Sequence, residues 1–211
     1  MSDEKLDDTL SRIARAACVA IDWVDFASIS VGGGADLMDT LGATDPRALK
    51  ADALQCELGE GPSVAARLGS SLVHSQDVGI DPRWPVYATR APELEIRAQI
   101  GVRLHAEDRV LGVLNLYATH PSGLDDDTSE VTFMLAAQAT TAICLASRVE
   151  TLTQAITVRR DISQAVGLVM ERYHLNESRA WEYLVRVSQA SQVKVRVVAR
   201  ELIEQANAST S

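Results

Sequence analysis

The sequence predicts an α+β domain followed by an all-helical tail, and three features predict it. Two central runs, Ala98 to His105 and Val110 to Tyr117, read as antiparallel strands joined by the polar turn AEDR. The chain before them mixes helical periods with short strands. Beyond residue 125, apolar residues recur every three or four positions almost to the C-terminus.

The elements follow in order. Leu6, Leu10, Ile13, Ala14, Ala17 and Ile21 mark a first helix over residues 4–21. AIDWVDFASISV then reads as a strand, closed by Gly32-Gly33-Gly34. These glycines lack the Lys-Ser/Thr and the helix start of a phosphate-binding loop, so they read as a hairpin turn. Residues 45–55 and 62–68 read as short helices, and Leu72 to Ser75 as a short strand. Asp81-Pro82 suits a turn, and Pro85 suits the first turn of a helix. In the first central run Ile100, Val102 and Leu104 share one face. The second, VLGVLNLY, is apolar almost throughout, as a central strand should be.

Asp125, Asp126 and Asp127 stand where the next helix begins. Aspartates cap helix N-termini and complement the helix dipole, and that reading is preferred here to a metal site. Val131, Met134, Gln138, Ala142, Leu145, Val149, Leu152 and Ile156 then recur at spacings of three or four, uninterrupted by Gly or Pro. A short stripe of this kind packs on a sheet. One this long favours pairing with another helix, the same helix of a second copy.

From about residue 159 the apolar face rotates to Ile162, Ala165, Val166, Val169, Met170 and Tyr173. HLNES breaks the helix, with Asn176 or Ser178 as the next cap. Trp181, Leu184, Val185 and Ser188 are expected to face one way on a second helix, which ASQ at 190–192 ends. Val195, Val198, Ala199, Leu202 and Ile203 line a third. The expected organisation is a front domain over 1–147, a helical linker over 148–158, a three-helix domain over 159–206 and an irregular tail over 207–211.

Of the 211 residues, 46% are hydrophobic and 23% charged, which excludes a disordered chain. No apolar run is expected to reach the roughly 20 residues that span a bilayer, and the acidic N-terminus does not read as a secretory signal. Cys18, Cys56 and Cys144 are far apart and odd in number. They suit a reducing cytoplasm and neither a disulfide framework nor a zinc site. The net charge of −9 argues against nucleic acid, but it is unevenly spread. Residues 159–205 hold eight basic and six acidic residues, a net +2 that leaves −11 for the rest. The tail is therefore the part suited to a polyanion.

Catalytic sets are absent. There is no GxSxG, HExxH, Walker A sequence, or GxGxxG after a strand, and the four histidines are dispersed. Cys56, in LQCELGEGP, has no basic neighbour in sequence to lower its thiol pKa. No enzyme, cofactor or metal is expected.

The segment RRDISQAVGLVMERYHLNESRAWEYLVRVSQASQVKVRVVARELIEQ resembles an ANTAR domain, the three-helix RNA-binding output of bacterial transcription antiterminators. Its markers stand here as Ile162, Ala165, Gly167, Met170, Ala180, Leu184, Ser188, Lys194, Val198 and Ala199. The front, through LGEGP at 58–62, DPRWP at 81–85 and LGVLNLY at 111–117, resembles a GAF domain of the kind found ahead of ANTAR domains in actinobacteria. That resemblance implies an antiparallel sheet with helices on its faces, often dimeric through its terminal helices.

Three positions depart from the pattern. Ser63 stands where a cysteine often follows Gly-Pro, Val166 where lysine is common, and Gln192 where asparagine is common. The cyclic-nucleotide signature and any bilin Cys-His pair are missing.

The resemblance implies a cytoplasmic homodimer whose paired ANTAR modules bind hairpin loops of nascent transcripts. Its GAF domain either senses an unknown small molecule or only dimerises. The residues expected to face RNA are Arg160, Gln164, Gly167, Arg172, Tyr173, Lys194, Arg196 and Arg200. Arg196 and Arg200 are four apart and share a helix face. Gly167 permits close approach of a helix or of RNA, and Tyr173 and Trp181 suit either base stacking or packing. The alternative reading is a sensing or interaction module whose helical tail docks a protein.

Overall fold

The computed structural model describes residues 3–32 and 38–208. Gly33 and Gly34 of the expected glycine turn, and residues 209–211 of the tail, lie outside these. The chain divides into two compact units, Met1–Ser147 and Arg148–Ser211.

The first unit is built on a five-stranded sheet of β1 (Phe26–Val31), β2 (Asp39–Leu41), β3 (Leu72–Ser75), β4 (Ala98–Ala106) and β5 (Arg109–Ala118). The strand order is β2-β1-β5-β4-β3, and every pair is antiparallel. Ile100 lies opposite Leu116 and Val102 opposite Leu114. With the period of two along a strand, these residues face one way. They meet Leu10, Ala14 and Ala17 of α1 (Asp3–Ala20) and Leu135, Ala139 and Ile143 of α5 (Asp126–Tyr173).

The opposite face carries Phe26, Val113 and Tyr117. It is covered by α2 (Pro46–Leu58), α3 (Pro62–Leu68) and α4 (Pro85–Arg90). The bare Gly101 lets α3 close on the sheet, because a Cβ there would lie 2.7 Å from the Pro62 carbonyl oxygen.

Two of the sequence motifs of this unit each fix a turn beside α4. In LGEGP, Gly59 ends α2 in the left-handed region (φ 64°), and Gly61 turns the chain at φ 117°. Between them, Glu60 Oε2 accepts hydrogen bonds from the Val86 and Tyr87 amides at 2.9 and 3.0 Å, which satisfies the open start of α4. In DPRWP, Asp81 accepts from Ser75 Oγ and from the Arg83 amide and guanidinium. The guanidinium also lies 4.3 Å from the Trp84 ring. Arg83 holds the Asp81 carboxyl down at about 2.

In the second unit, α5 is followed by α6 (Glu177–Ser191) and α7 (Val195–Ala208). Its core is Ala165, Val166, Val169, Ala180, Leu184, Val198 and Ala199. Asn176 caps α6 by accepting from the Arg179 amide at 3.0 Å. Gln192 ends it in the left-handed region at φ 57°. Among residues with a side chain, asparagine tolerates that backbone better than glutamine does.

The structure departs from the sequence reading at several points. The strand expected from Ala20 begins at Phe26. The first helix runs through Ala20, and the chain then turns on Ile21 and Val24, both buried. Strand β2 was not expected. The linker over 148–158 and the first helix of the tail are one unbroken helix with the stripe, since no Gly or Pro interrupts it before Gly167. Residues 207 and 208, expected in an irregular tail, belong to α7.

The stripe of α5 is largely unburied within one copy, as a stripe not used for packing on the sheet would be. The face of α5 that packs on the sheet is Thr132, Leu135, Ala136, Ala139 and Ile143. Most of the Val131–Ile156 stripe therefore lies off the sheet, with Met134 56%, Leu152 64% and Ile156 70% exposed. The sequence reading also missed that a window of α5 reaches a mean hydropathy of 1.3, in a helix long and apolar enough by composition to cross a membrane. Alanines and threonines between the larger side chains hide that window from a search for continuous apolar runs.

Candidate nucleic-acid interface and sensor interior

Helix α7 begins one residue after Lys194, whose carbonyl accepts from the Val197 amide at 2.8 Å. Arg196 and Arg200 follow one turn apart, and both are exposed. They border a cleft of about 770 Å³ between α7 and residues 151–158 of α5, shared with Val197, Glu201 and Glu204. Among the described residues no ion pair joins these glutamates to either arginine, so both guanidinium groups present their donors to solvent.

Arg160, Gln164 and Gly167 are exposed on α5. Their spacing of four and three places them along one stripe of that helix. Arg160 makes a loose contact with Asp161 at 3.7 Å. A Cβ at Gly167 would meet nothing within 4 Å. Among the described residues no helix needs that glycine for close approach, and it leaves an exposed patch of bare backbone.

Arg172 and Tyr173 lie apart from these groups. They border a separate cleft of about 270 Å³ with Leu168, Val169, Glu171, Leu202 and Ala206. Tyr173 is 46% exposed and packs on Tyr183 with ring centroids 5.2 Å apart. The structure thus brings Arg196 and Arg200 together, aligns Arg160, Gln164 and Gly167, and pairs Arg172 with Tyr173. Val166 is buried in the core, where a lysine would have to thread its stem outward. Trp181, expected beside Leu184, is instead 43% exposed. Ala180, Leu184 and Val187 carry the buried face of α6, and Trp181 falls off it with Val185.

The interior of the first unit holds a chain of polar side chains that sequence reasoning missed. Tyr87 Oη donates to Gln99 Oε1 at 2.8 Å, and Gln99 Nε2 donates to Gln55 Oε1 at 3.1 Å. Gln55 Oε1 also accepts from the Ser63 amide at 2.9 Å. Gln55 Nε2 reaches Tyr117 Oη, which donates in turn to Asp52. Asp52 accepts further from Asn115 Nδ2 at 3.0 Å, Ser30 Oγ at 3.1 Å and Thr40 Oγ1 at 2.8 Å. All these donors are neutral. Burial pushes the Asp52 carboxyl above the usual carboxylate range despite the hydrogen bonds. Burial, together with the Asp52 charge, also raises the Tyr117 and Tyr87 hydroxyls.

Asp52 and Gln55 are three apart on α2, so they meet the sheet together. Polar residues at that spacing read as a solvated face, and only the length of the flanking Ala48 and Ala51 stripe hinted otherwise. Asp52 also borders a cleft of about 410 Å³ with Ser30, Asp39, Thr40, Cys56 and Ser63.

Neither Cys18 nor Cys56 is activated as a thiolate. Burial raises the thiol pKa of both Cys18 and Cys56. Cys18 sits in α1 and hydrogen-bonds the Ala14 carbonyl, and all three cysteines are free. Among the described residues no group of three or more His, Cys, Asp or Glu is placed to hold a metal ion.

A sheet domain with a polar interior, joined through one helix to a small helical domain bearing exposed arginines, defines a sensor–regulator. The chain belongs to the GAF domain family, whose description matches residues 3–143, and residues 150–203 match an ANTAR domain, a known RNA-binding antiterminator domain. Both are regulatory domains.

No curated protein matches the chain. Solved structures share the fold of the first domain at low identity. One is a domain of a putative two-component sensor histidine kinase from Sinorhizobium meliloti 1021. It is 17% identical with a TM-score of 0.56, over 70% of this chain and 95% of that one. Another is the GAF domain of an Acinetobacter phosphoenolpyruvate-protein phosphotransferase, at 18% identity, TM-score 0.52, and 69% and 86% coverage. A third is a free methionine-R-sulfoxide reductase from Neisseria meningitidis in complex with its substrate, at 19% identity, TM-score 0.51, and 71% and 83% coverage.

Proposed function

We propose that the chain is a cytoplasmic, homodimeric transcription antitermination regulator that is not an enzyme. Its ANTAR domain binds hairpin loops in nascent RNA and holds them in a form that prevents termination. Its GAF domain senses a small molecule or frames the dimer. The observation that carries this reading is the pair of unpaired, exposed guanidinium groups of Arg196 and Arg200 in a net-basic stretch of an acidic chain. Lys194, Arg160, Gln164, Gly167, Arg172 and Tyr173 are proposed to complete the RNA-facing surface, because each is exposed.

A second copy of the chain is the proposed occupant of the apolar stripe on α5. The stripe continues a groove of about 710 Å³ between α1 and α5, and Met134 and Leu145 belong to both. Two weakly binding modules held together gain effective concentration for paired hairpins. Loops splay bases that side chains can stack on and hydrogen-bond. The reading as a module that docks a protein is favoured by the net charge of −9.

A charge-reversed Arg196→Glu/Arg200→Glu variant separates the two. Hairpin binding by the full chain is measured by fluorescence anisotropy across a salt titration, with circular dichroism and native mass as controls. The variant is expected to remain a folded dimer, to bind at least about tenfold more weakly, and to show a salt slope shallower by roughly two. Equal affinity and equal slope would remove these arginines from the interface. A parent without salt-dependent hairpin binding would leave the protein-docking reading in its place.

A further inference from the structure

We infer that Tyr173 and Tyr183, with Arg172 and the cleft beside them, form a platform that takes one unpaired nucleobase of the bound loop. The inference rests on the RNA-binding reading and assigns one subsite of it.

Tyr173 is the last residue of α5 and Tyr183 lies in the middle of α6. The helix reversal at His174, in the left-handed region at φ 54°, brings the two rings into tilted contact. Their hydroxyls stand 3.4 Å apart, which steadies each ring without consuming the exposed part of Tyr173. The Arg172 guanidinium lies 5.9 Å from the Tyr173 ring centroid. A cation held over an aromatic ring is a surface on which a base can continue the stack and a phosphate can be met.

The same Tyr173 borders the cleft of about 270 Å³ whose lining combines apolar Leu168, Val169, Leu202 and Ala206 with the charged Glu171 and Arg172. An apolar lining suits the flat face of a base. The carboxylate accepts from exocyclic amino groups, and the guanidinium donates to ring or carbonyl acceptors. A protein surface would match a half-exposed tyrosine equally well, but it would not need one donor and one acceptor in the lining of a slot this small. A single splayed base supplies both.

Stacking and phosphate contact differ in their response to salt. A stacked base adds affinity that is independent of ionic strength, whereas a phosphate contact adds slope. The test uses the full chain and a hairpin the parent binds, with 2-aminopurine placed at each loop position in turn.

One loop position is expected to be quenched on binding. Tyr173→Leu is expected to weaken binding about 5- to 150-fold, the range for loss of one stacked base, with the salt slope unchanged. Tyr173→Phe, which keeps the ring, is expected to bind like the parent. An abasic substitution at the quenched position supplies a readout with the parent protein alone. It should cost the parent a similar factor and cost Tyr173→Leu nothing further.

The inference is overturned if every abasic loop binds the parent equally well. It is overturned too if Tyr173→Leu keeps the parent's affinity, or if its loss appears only as a shallower slope. A parent that binds no hairpin at low salt defeats the RNA-binding reading itself and is told apart from these outcomes.

Discussion

Asp52 shows how far a single residue can depend on its surroundings. On α2 it is surrounded by neutral donors from three strands, and its carboxyl sits above the ordinary range because desolvation outweighs those hydrogen bonds. The folded state therefore holds this proton more tightly than the unfolded chain does. Stability contributed by the protonated form is complete below the unfolded value of about 4 and is lost as pH rises through the raised folded value. His74 works in the opposite direction. Burial lowers its pKa, so the folded state binds that proton less well and gains stability as pH rises. Subtracting an Asp52→Asn variant isolates the first effect. Urea midpoints taken between about pH 4 and pH 8 are expected to fall with pH for the parent relative to the variant. Parallel curves would mean that Asp52 keeps an ordinary carboxylate pKa. None of this was legible in the sequence, where aspartate and glutamine three apart on a short helix carry the signature of a wet surface.

Elements with a strong period were the readable part. β3 was placed at its observed limits, and β4 and β5 within a residue or two, because alternation and the AEDR turn mark them in the chain itself. β2 is three residues long on the sheet edge, too short to show a period, and is held by pairing with β1. The helix through Ala20 took residues from the expected strand because Leu10, Ala14 and Ala17 extend its buried stripe to that end. Trp181 misled for another reason. A bulky apolar residue next to a buried stripe reads as core, yet the core of so small a unit is filled by Ala180 and Leu184.

Packing at the element scale yields its own prediction, at the contact of α3 with β4. The Gly101→Ala variant adds a Cβ 2.7 Å from the backbone oxygen and 2.9 Å from the carbonyl carbon of Pro62. Backbone cannot give way as a flexible side chain can, so the helix must lift from the sheet. Chemical denaturation is expected to show a loss of about 1–3 kcal/mol. A change within about 0.5 kcal/mol would mean that α3 is not seated as closely as the geometry states.

At the scale of the whole molecule, the apolar face of α5 is the feature that a single copy does not use. Leu145, Val149, Leu152 and Ile156 are each more than half exposed and recur at spacings of four, three and four. That is the spacing of a helix seam, and the same helix of a second copy is its proposed partner. Burying a leucine or isoleucine fully is worth about 1.5–3 kcal/mol, so two seam residues per copy contribute enough to decide assembly. Glutamate at both Leu152 and Ile156 places four carboxylates across the seam of a dimer and leaves the sheet-facing residues of the same helix untouched. The Leu152→Glu/Ile156→Glu variant is expected to halve the native mass while its circular dichroism matches the parent's. Its affinity for one isolated hairpin should fall only slightly, because the residues proposed to meet RNA are intact and the carboxylate placed at position 156 reaches at most Arg160, one turn on. Its affinity for a tandem pair should fall to that of the single hairpin, since the gain from tethering is lost. A variant that stays dimeric would show that this seam does not join the copies. One that becomes monomeric yet binds the tandem RNA as tightly as the parent would show that the copies do not act together on it.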